Sequence, residues 1–263
     1  VCLLAGTAVS AETVSGEIAE GFAWSYDTET KTLTLKGEGD IPEGAISSPS
    51  PWEDYKNDIQ YIYLDGITSP ASVRNQYNFD SIQTFSGRYG ADITWKLDIV
   101  NETFEVNGTG EANYDPWSDL SFASFPIQNA TIGDSLTKVN WIEGCYIENL
   151  TIGASCLSYQ YSAVNITVSP NNPYFSTYDG SVYTKGFEKL LRCDTKENPK
   201  LHPDVKTIAA NAFTYNTGTI IIPWGVTTIE EEAFQIYGAT TQIVLPDTLT
   251  SVKNLFNGNK DNH

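Results

Sequence analysis

Histidine is nearly absent from this chain. His202 and His263 are the only two in 263 residues, and methionine is missing altogether. Nucleophilic catalysis by a serine or cysteine with an imidazole base needs a histidine beside the nucleophile. His263 is the last residue, His202 is wedged between Leu201 and Pro203, and neither has a second ligand at zinc spacing. No phosphate-cradling G-x-x-x-x-G-K-[ST] loop is present, and Gly37-Glu38-Gly39 lacks the third glycine of a dinucleotide fingerprint. The sequence therefore points away from an enzyme, and no cofactor or metal is expected. Basic residues are scarce as well, 15 against 33 acids, for a formal net charge of −18. That sign repels phosphate backbones and anionic lipid heads, which excludes nucleic-acid and membrane-surface roles.

Thirty-three acids always place some pair of carboxylates at glycosidase distance. The densest run, Glu230-Glu231-Glu232, is expected to be a solvated turn. The tail Asn257 to Asn262 departs from the D-x-[DN]-x-[DN]-G calcium loop. No long apolar run is present either. Val1 to Ala11 (VCLLAGTAVSA) is too short to span a bilayer and reads as the end of a secretory signal, closing on small residues where the peptidase cuts. With no methionine, the natural start is expected to lie upstream. Cleavage after Ala11 leaves Cys145, Cys156 and Cys193, an odd number without C-x-x-C spacing. They are expected as small buried hydrophobes, with a Cys145–Cys156 bridge as the alternative.

What the chain does contain is repetition. Val205, Ile208, Ala212-Phe213 and Ile220-Ile221-Ile222-Pro223 recur as Val226, Ile229, Ala233-Phe234 and Ile243-Val244-Leu245-Pro246, then begin again as Leu249, Val252 and Leu255-Phe256. The pitch is 21 to 23 residues. Such a period marks a solenoid whose coils bury their apolar sides only by stacking. Side chains alternate across a strand, so Ile220 and Ile222 should face the core while Ile221 faces out. Pro223 and Pro246 cannot donate to a ladder and should end each strand. Extended upstream, the inward residues become Ile132, Leu150 with Ile152, and Ile166 with Val168. The gap from Val168 to Ile220 closes if Asn171 to about Pro203 is an insertion. Short turns around Ala210 to Phe213 and Glu230 to Phe234 are the only helical candidates.

The pattern V-x-x-I-x-x-x-A-F followed by I-x-I-P resembles the BspA-like, or Treponema-type, bacterial leucine-rich-repeat surface proteins. Tyr178-Asp179-Gly180-Ser181-Val182-Tyr183 with Lys189-Leu190-Leu191-Arg192-Cys193 is similar to the hairpin such proteins carry between repeats. Trp24-Ser25-Tyr26-Asp27, Thr32-Leu33-Thr34-Leu35 and Ser50-Pro51-Trp52 are similar to the segment before their first repeat. The resemblance implies an extracellular or cell-surface binding protein, adhering to host matrix proteins or to other cells.

That first segment seems to be written twice in the sequence: Trp24, Asp27, Thr32-Leu33, Gly37 and Gly39 return as Trp95, Asp98, Thr103-Phe104, Gly108 and Gly110, all 71 residues on. Pro51-Trp52 returns as Pro116-Trp117 after a six-residue deletion. The four tryptophans are expected as packing anchors. The fold class is thus mainly β with short helical turns, a leucine-rich-repeat solenoid preceded by duplicated β-rich modules. The expected division is 1–11 signal end, 12–85 first module, 86–140 second module leading into repeats, and 141–263 solenoid with a hairpin insertion near 171–203.

Five N-x-T sequons, at Asn101, Asn107, Asn129, Asn149 and Asn165, are read as chance in an Asn- and Thr-rich β protein. The candidate binding surface is one outward row, Thr131, Thr151, Thr167, Ile221 and Val244, flanked by Asn165 and Gln242. Trp224 joins it, because an indole after Pro223 has no evident packing role. A protein ligand or host-cell surface is the expected partner. The rival readings are a carbohydrate-binding module, suggested by six Trp and 15 Tyr, and a non-catalytic spacer of a larger exported protein. Because Leu255-Phe256 is not followed by an I-x-I-P strand, Ile243, Leu245, Val252 and Phe256 are expected to be partly exposed, with the native protein continuing beyond them.

Overall fold

A computed structural model describes residues 12–69, 81–90, 92–113, 127–140, 147–161, 163–194, 196–235, 242–252 and 254–256. The signal-like Val1 to Ala11, Trp117 and Cys145 lie outside them. The described residues divide into two compact units, one up to Glu102 and one from Thr103 onward.

In the first unit, β1 (Thr13–Ala19), β2 (Phe22–Asp27), β3 (Thr32–Asp40), β4 (Tyr61–Ser69), β5 (Thr84–Tyr89) and β6 (Ile93–Asp98) hydrogen-bond in chain order. Thr32-Leu33-Thr34-Leu35 alternates half-buried and buried, as its pattern requires. Trp24 and Trp52 meet edge to face at 5.9 Å, and Trp52 is fully buried. The only helix among the described residues is a single 3-10 turn, Glu53–Tyr55.

Two antiparallel hairpins in this unit share one register. Thr13 pairs with Asp27 and Gly16 with Trp24 in β1–β2; 71 residues later Thr84 pairs with Asp98 and Gly87 with Trp95 in β5–β6. The glycines are required by the indoles across from them. A Cβ at Gly16 would stand 2.7 Å from Trp24 Nε1, and one at Gly87 would stand 2.8 Å from the Leu64 carbonyl and 3.0 Å from the Trp95 ring. The following turns also match. Asp27 Oδ1 accepts the Thr30 amide at 2.7 Å and Asp98 Oδ1 the Asn101 amide at 2.9 Å. Lys31 and Glu102 close the two turns with φ of 56° and 52°.

In the second unit, β7 (Thr103–Asn107), β9 (Ile127–Ile132), β11 (Ile147–Ile152) and β12 (Ala163–Val168) form a parallel ladder, here the first stack, after and between which lie β8 (Gly110–Ala112) and β10 (Leu136–Val139), themselves paired. Leu150, Ile152, Ile166 and Val168 are buried as expected. Then β13 (Phe175–Tyr178), β14 (Ser181–Thr184) and β15 (Lys189–Asp194) run antiparallel. Asn172, fully buried, anchors the start of this hairpin. Its amide donates to the Gly153 and Cys156 carbonyls at 3.1 and 2.9 Å and accepts from the Tyr174 and Phe175 amides at 2.9 and 3.0 Å. Every polar group of that side chain is thereby satisfied in a dry site.

β15 then serves as the first rung of the second stack. Its Leu190 pairs with Ile208 of β16 (Thr207–Ile208) and its Cys193 with Phe213 of β17 (Phe213–Thr214). β18 (Thr219–Ile221), β19 (Thr228–Ile229), β20 (Phe234–Gln235), β21 (Gln242–Val244) and β22 (Ser251–Val252) complete it. Like stacks on like one coil on: Ile208 on Ile229 on Val252, Phe213 on Phe234, Ile220 on Ile243. The Phe213 and Phe234 rings lie 4.8 Å apart and nearly parallel. This is the mainly β repeat solenoid that the 21-to-23-residue pitch predicts.

The predicted helical turns are corrected by the structure. Ala210 to Phe213 and Glu230 to Phe234 are bends that lead into β17 and β20, because Asn211 and Glu232 take left-handed φ values of 55° and 57°, which a helix cannot contain. Cys156 and Cys193 are buried, Cys156 as a thiol 3.6 Å from the Tyr161 hydroxyl. Burial raises the Tyr161 pKa well above its ordinary value. Among the last described residues Ile243 is half-buried, and Leu245, Val252 and Phe256 are 42, 45 and 52% exposed.

Candidate binding face

The outward residues of the first stack form two rows. Thr103, Asn129, Asn149 and Asn165 are in register in one; Glu105, Thr131, Thr151 and Thr167 are in register in the other. The asparagines bond along the stack. Asn165 Nδ2 donates to Asn149 Oδ1 at 3.2 Å, and Asn149 Nδ2 to Asn129 Oδ1 at 3.3 Å. Lys196 Nζ closes the ladder on Asn165 Oδ1 at 2.9 Å. Parallel in-register strands hold equivalent side chains about 4.8 Å apart, the spacing at which carboxamides chain to one another. The N-x-T triplets at 129, 149 and 165 therefore have a structural reason: Asn and Thr both point out, with a buried Ala130, Leu150 or Ile166 between them. Sequence reasoning set them aside as chance sequons; their alignment with the inward apolar residue was the signal that could have found the ladder.

The second stack presents a different face. Thr219 and Ile221 of β18 lie beside Gln242 and Val244 of β21. Ile221 is 61% exposed and Val244 50%, while Ile220 and Ile222 are buried. Trp224, after the strand-ending Pro223, is 79% exposed, so its indole packs on little. The tight turn there uses Gly225 at φ 115°.

The five-residue row does not run unbroken from Thr131 to Val244. Between β12 and β18 the hairpin intrudes: Gly180 O accepts the Ile166 amide, and the Lys196–Asn198 segment takes the near edge of the next coil, with Glu197 bridged to Thr217. Thr131, Thr151 and Thr167 thus stand together on one stack, Ile221, Val244, Gln242 and Trp224 on the other. Asn165 is a member of the asparagine ladder rather than a flank.

The intrusion creates a cleft that no linear pattern foretold. A cavity of about 460 Å³ is lined by Tyr178, Asn198, Pro199, Lys200, Leu201, Thr219, Ile221 and Pro223. One wall is rigid. The His202 ring stacks on Phe187 at 3.9 Å and meets Tyr178 edge-on at 5.0 Å. His202 Nδ1 accepts the Asp204 amide at 3.2 Å, so this histidine is spent on the turn. Glu230, the first of the acidic run, pairs with Lys189 at 2.6 Å and accepts the Ala210 amide at 3.1 Å. The Lys189 ammonium, with that amide, holds its carboxyl below the ordinary glutamate range. Among the described residues no group of three or more His, Cys, Asp or Glu is placed to hold a metal, and no helix is long and apolar enough to cross a membrane.

Fold and face together define a mainly β repeat solenoid with an open outer sheet. No family model matches the chain, and no curated protein sequence does. Three solved structures are similar to it. A leucine-rich repeat protein from Eubacterium ventriosum ATCC 27560 is 18% identical over 91% of this chain and 68% of its own, with a TM-score of 0.42. The pneumococcal vaccine antigen PcpA is 14% identical over 90% and 71%, TM-score 0.36. A leucine rich cell surface protein from Faecalibacterium prausnitzii A2-165 is 15% identical over 92% and 79%, TM-score 0.32.

Proposed function

We propose that the chain is an exported, cell-surface or secreted binding protein of the BspA-like kind, non-catalytic, and that it contacts a protein on another surface through the outer face of its second stack. Trp224 is the anchor, Ile221 and Val244 the apolar centre, Gln242 a polar edge, and the Thr131, Thr151 and Thr167 row an extension of the same contact. Residues 12–85 and 86–140 are related copies in this reading, which the common hairpin register supports. The observation that carries the proposal is the exposure of Trp224 at 79% beside two uncovered β-branched residues. An indole left in water forfeits the burial that usually holds tryptophan in a fold, and exposed tryptophan with an apolar surround is the composition of interface centres.

The test is capture of the purified chain on immobilised extracellular-matrix proteins and on whole cells, with Trp224→Ala and Ile221→Ser compared to the parent. Hot-spot truncation should weaken binding by about thirtyfold or more, since it removes on the order of 2 kcal/mol. Capture that survives both substitutions and disappears with Thr151→Lys would place the contact on the first stack instead.

A further inference from the structure

Six of the chain's 15 basic residues fall between Lys185 and Lys206. Four have partners: Lys185 on the Pro170 carbonyl, Lys189 on Glu230, Lys196 on Asn165, and Arg192, which is also engaged. Lys200 and Lys206 differ, since neither ammonium makes an ion pair or hydrogen bond among the described residues. Lys200 lines the cleft. Lys206 Nζ stands 3.2 Å from where a Cβ on Gly225 would be, next to Trp224 and two residues from Pro223 of the cleft wall. In a chain of net charge −18, two cations without partners beside one cavity are out of keeping with the surface around them.

The neighbouring carboxylates are committed elsewhere. Asp179 accepts the Lys200 backbone amide at 3.3 Å, Glu197 faces the Asn198 side-chain amide at 3.4 Å, and Asp204 lies 3.9 Å from His202 Nδ1. The rest of the lining is a fixed aromatic edge at Tyr178, aliphatic carbons from Leu201, Ile221 and Pro223, and the hydroxyl of Thr219. Convergent apolar walls with a few placed polar groups in a cavity of this size make a small-ligand site.

We propose that this cleft binds a carboxylate-bearing sugar residue, the acid on Lys200 with Lys206 adding to the field, and the ring against Tyr178. An acidic peptide is the competing occupant, and the backbone argues against it. Both edges of β18 are taken, by β21 on one side and by Lys196–Asn198 on the other, so an extended peptide finds no ladder to join. A polyanion such as nucleic acid is repelled by the overall charge, whereas a single carboxylate on a sugar is not.

The site adjoins the face assigned above to a protein partner but does not depend on it: Lys200 and Tyr178 report one, Trp224 the other. Glucuronic acid and N-acetylneuraminic acid, with glucose and N-acetylglucosamine as neutral controls and a Glu-rich peptide as competitor, would be titrated into the full chain by NMR. Both acidic sugars should shift resonances at Tyr178, Lys200 and Thr219 saturably, and neutral sugars should bind about tenfold more weakly or worse. Lys200→Ala and Tyr178→Ala should each weaken binding about tenfold, Lys200→Arg should retain it, and Lys138→Ala should change nothing. One acidic sugar binding without the other narrows the source of the carboxylate and leaves the site standing. No shift with either, equal binding of neutral sugars, an unchanged titration in Lys200→Ala, or preference for the peptide overturns the assignment.

Discussion

The two stacks of the second unit are built alike inside and differently outside. Each buries aliphatic side chains in register across parallel strands, Leu150 on Ile166 in one and Ile208 on Ile229 in the other. On the outside the first shows asparagine and threonine and the second isoleucine, valine and an exposed tryptophan. The asparagines are bonded to each other and to Lys196, so that polar row is part of the structure and has little left to offer a ligand. Ile221, Val244 and Trp224 make no comparable contact. The contrast separates residues that hold the solenoid from residues that are free to bind, and it does so between neighbouring stretches of one architecture.

The largest effect expected from breaking this contrast lies in the core. Phe234 is fully buried between Phe213 and Phe256. Truncating it in Phe234→Ala should cost about 3 to 5 kcal/mol, the range for large-to-small aromatic changes, and urea denaturation would measure it. A loss below about 1 kcal/mol would mean that the stack closes over the gap and that its register is not held by the phenylalanine ladder. Next comes the ladder of the first stack. Asn149→Ala removes one donor and one acceptor from the middle of a half-solvated row and should cost about 1 kcal/mol, whereas Thr151→Ala, one row over, should cost less. Equal costs would show that the amide chain contributes nothing beyond β propensity.

Much of this architecture was legible in the sequence, for a physical reason. A core built from equivalent residues in successive coils writes itself as a period, so Val205/Val226, Ile208/Ile229 and Phe213/Phe234 could be paired by eye, and the alternation of Ile220, Ile221 and Ile222 set which side chain faces out. What was not legible depends on contacts between different kinds of segment. The hairpin splits the predicted outward row and makes the cleft, and its effect on Thr167 and Ile221 appears only once Gly180 and Lys196–Asn198 are seen lying between them. The helical reading of Ala210 to Phe213 failed because Asn211 adopts a left-handed φ, a choice that coil stacking imposes on a residue tolerant of it. The asparagine ladder was written in the chain, but it was read as a modification motif rather than as a register.

Acid should tell the stacks apart as well. The first-stack ladder contains no titrating group between Asn129 and Asn165, while Glu230 in the second has its folded pKa below the ordinary glutamate value through Lys189 and the Ala210 amide. A depressed carboxyl contributes stability that is fully present above its unfolded pKa and is lost as the pH falls through the folded one. The pair is about one-third exposed on each side, so its contribution is less than about 1 kcal/mol. Glu230→Gln should therefore lower the melting temperature slightly at neutral pH and leave it unchanged relative to the parent in acid. A difference that persists undiminished well below the glutamate range would assign the effect to hydrogen bonding rather than charge.

The smallest expected change in stability is the one that tests the contrast most directly. Ile221 of the second stack and Thr151 of the first occupy the same kind of site, the central outward position of a strand whose neighbours are buried. Both are β-branched, so exchanging them preserves strand propensity while moving an apolar surface from one face to the other. Ile221 is 61% exposed, and Ile221→Thr should shift unfolding by no more than about 0.5 kcal/mol, as surface substitutions generally do. Thr151→Ile should be just as quiet, because the asparagine row beside it carries the lateral bonds. Binding should respond in one direction only: Ile221→Thr removes part of the apolar patch around Trp224 and weakens capture of a partner, while Thr151→Ile leaves it intact. If Ile221→Thr instead destabilised the fold by more than about 1 kcal/mol, the exposed face of the second stack would be structural too, and the division between holding and binding residues would have to be drawn elsewhere.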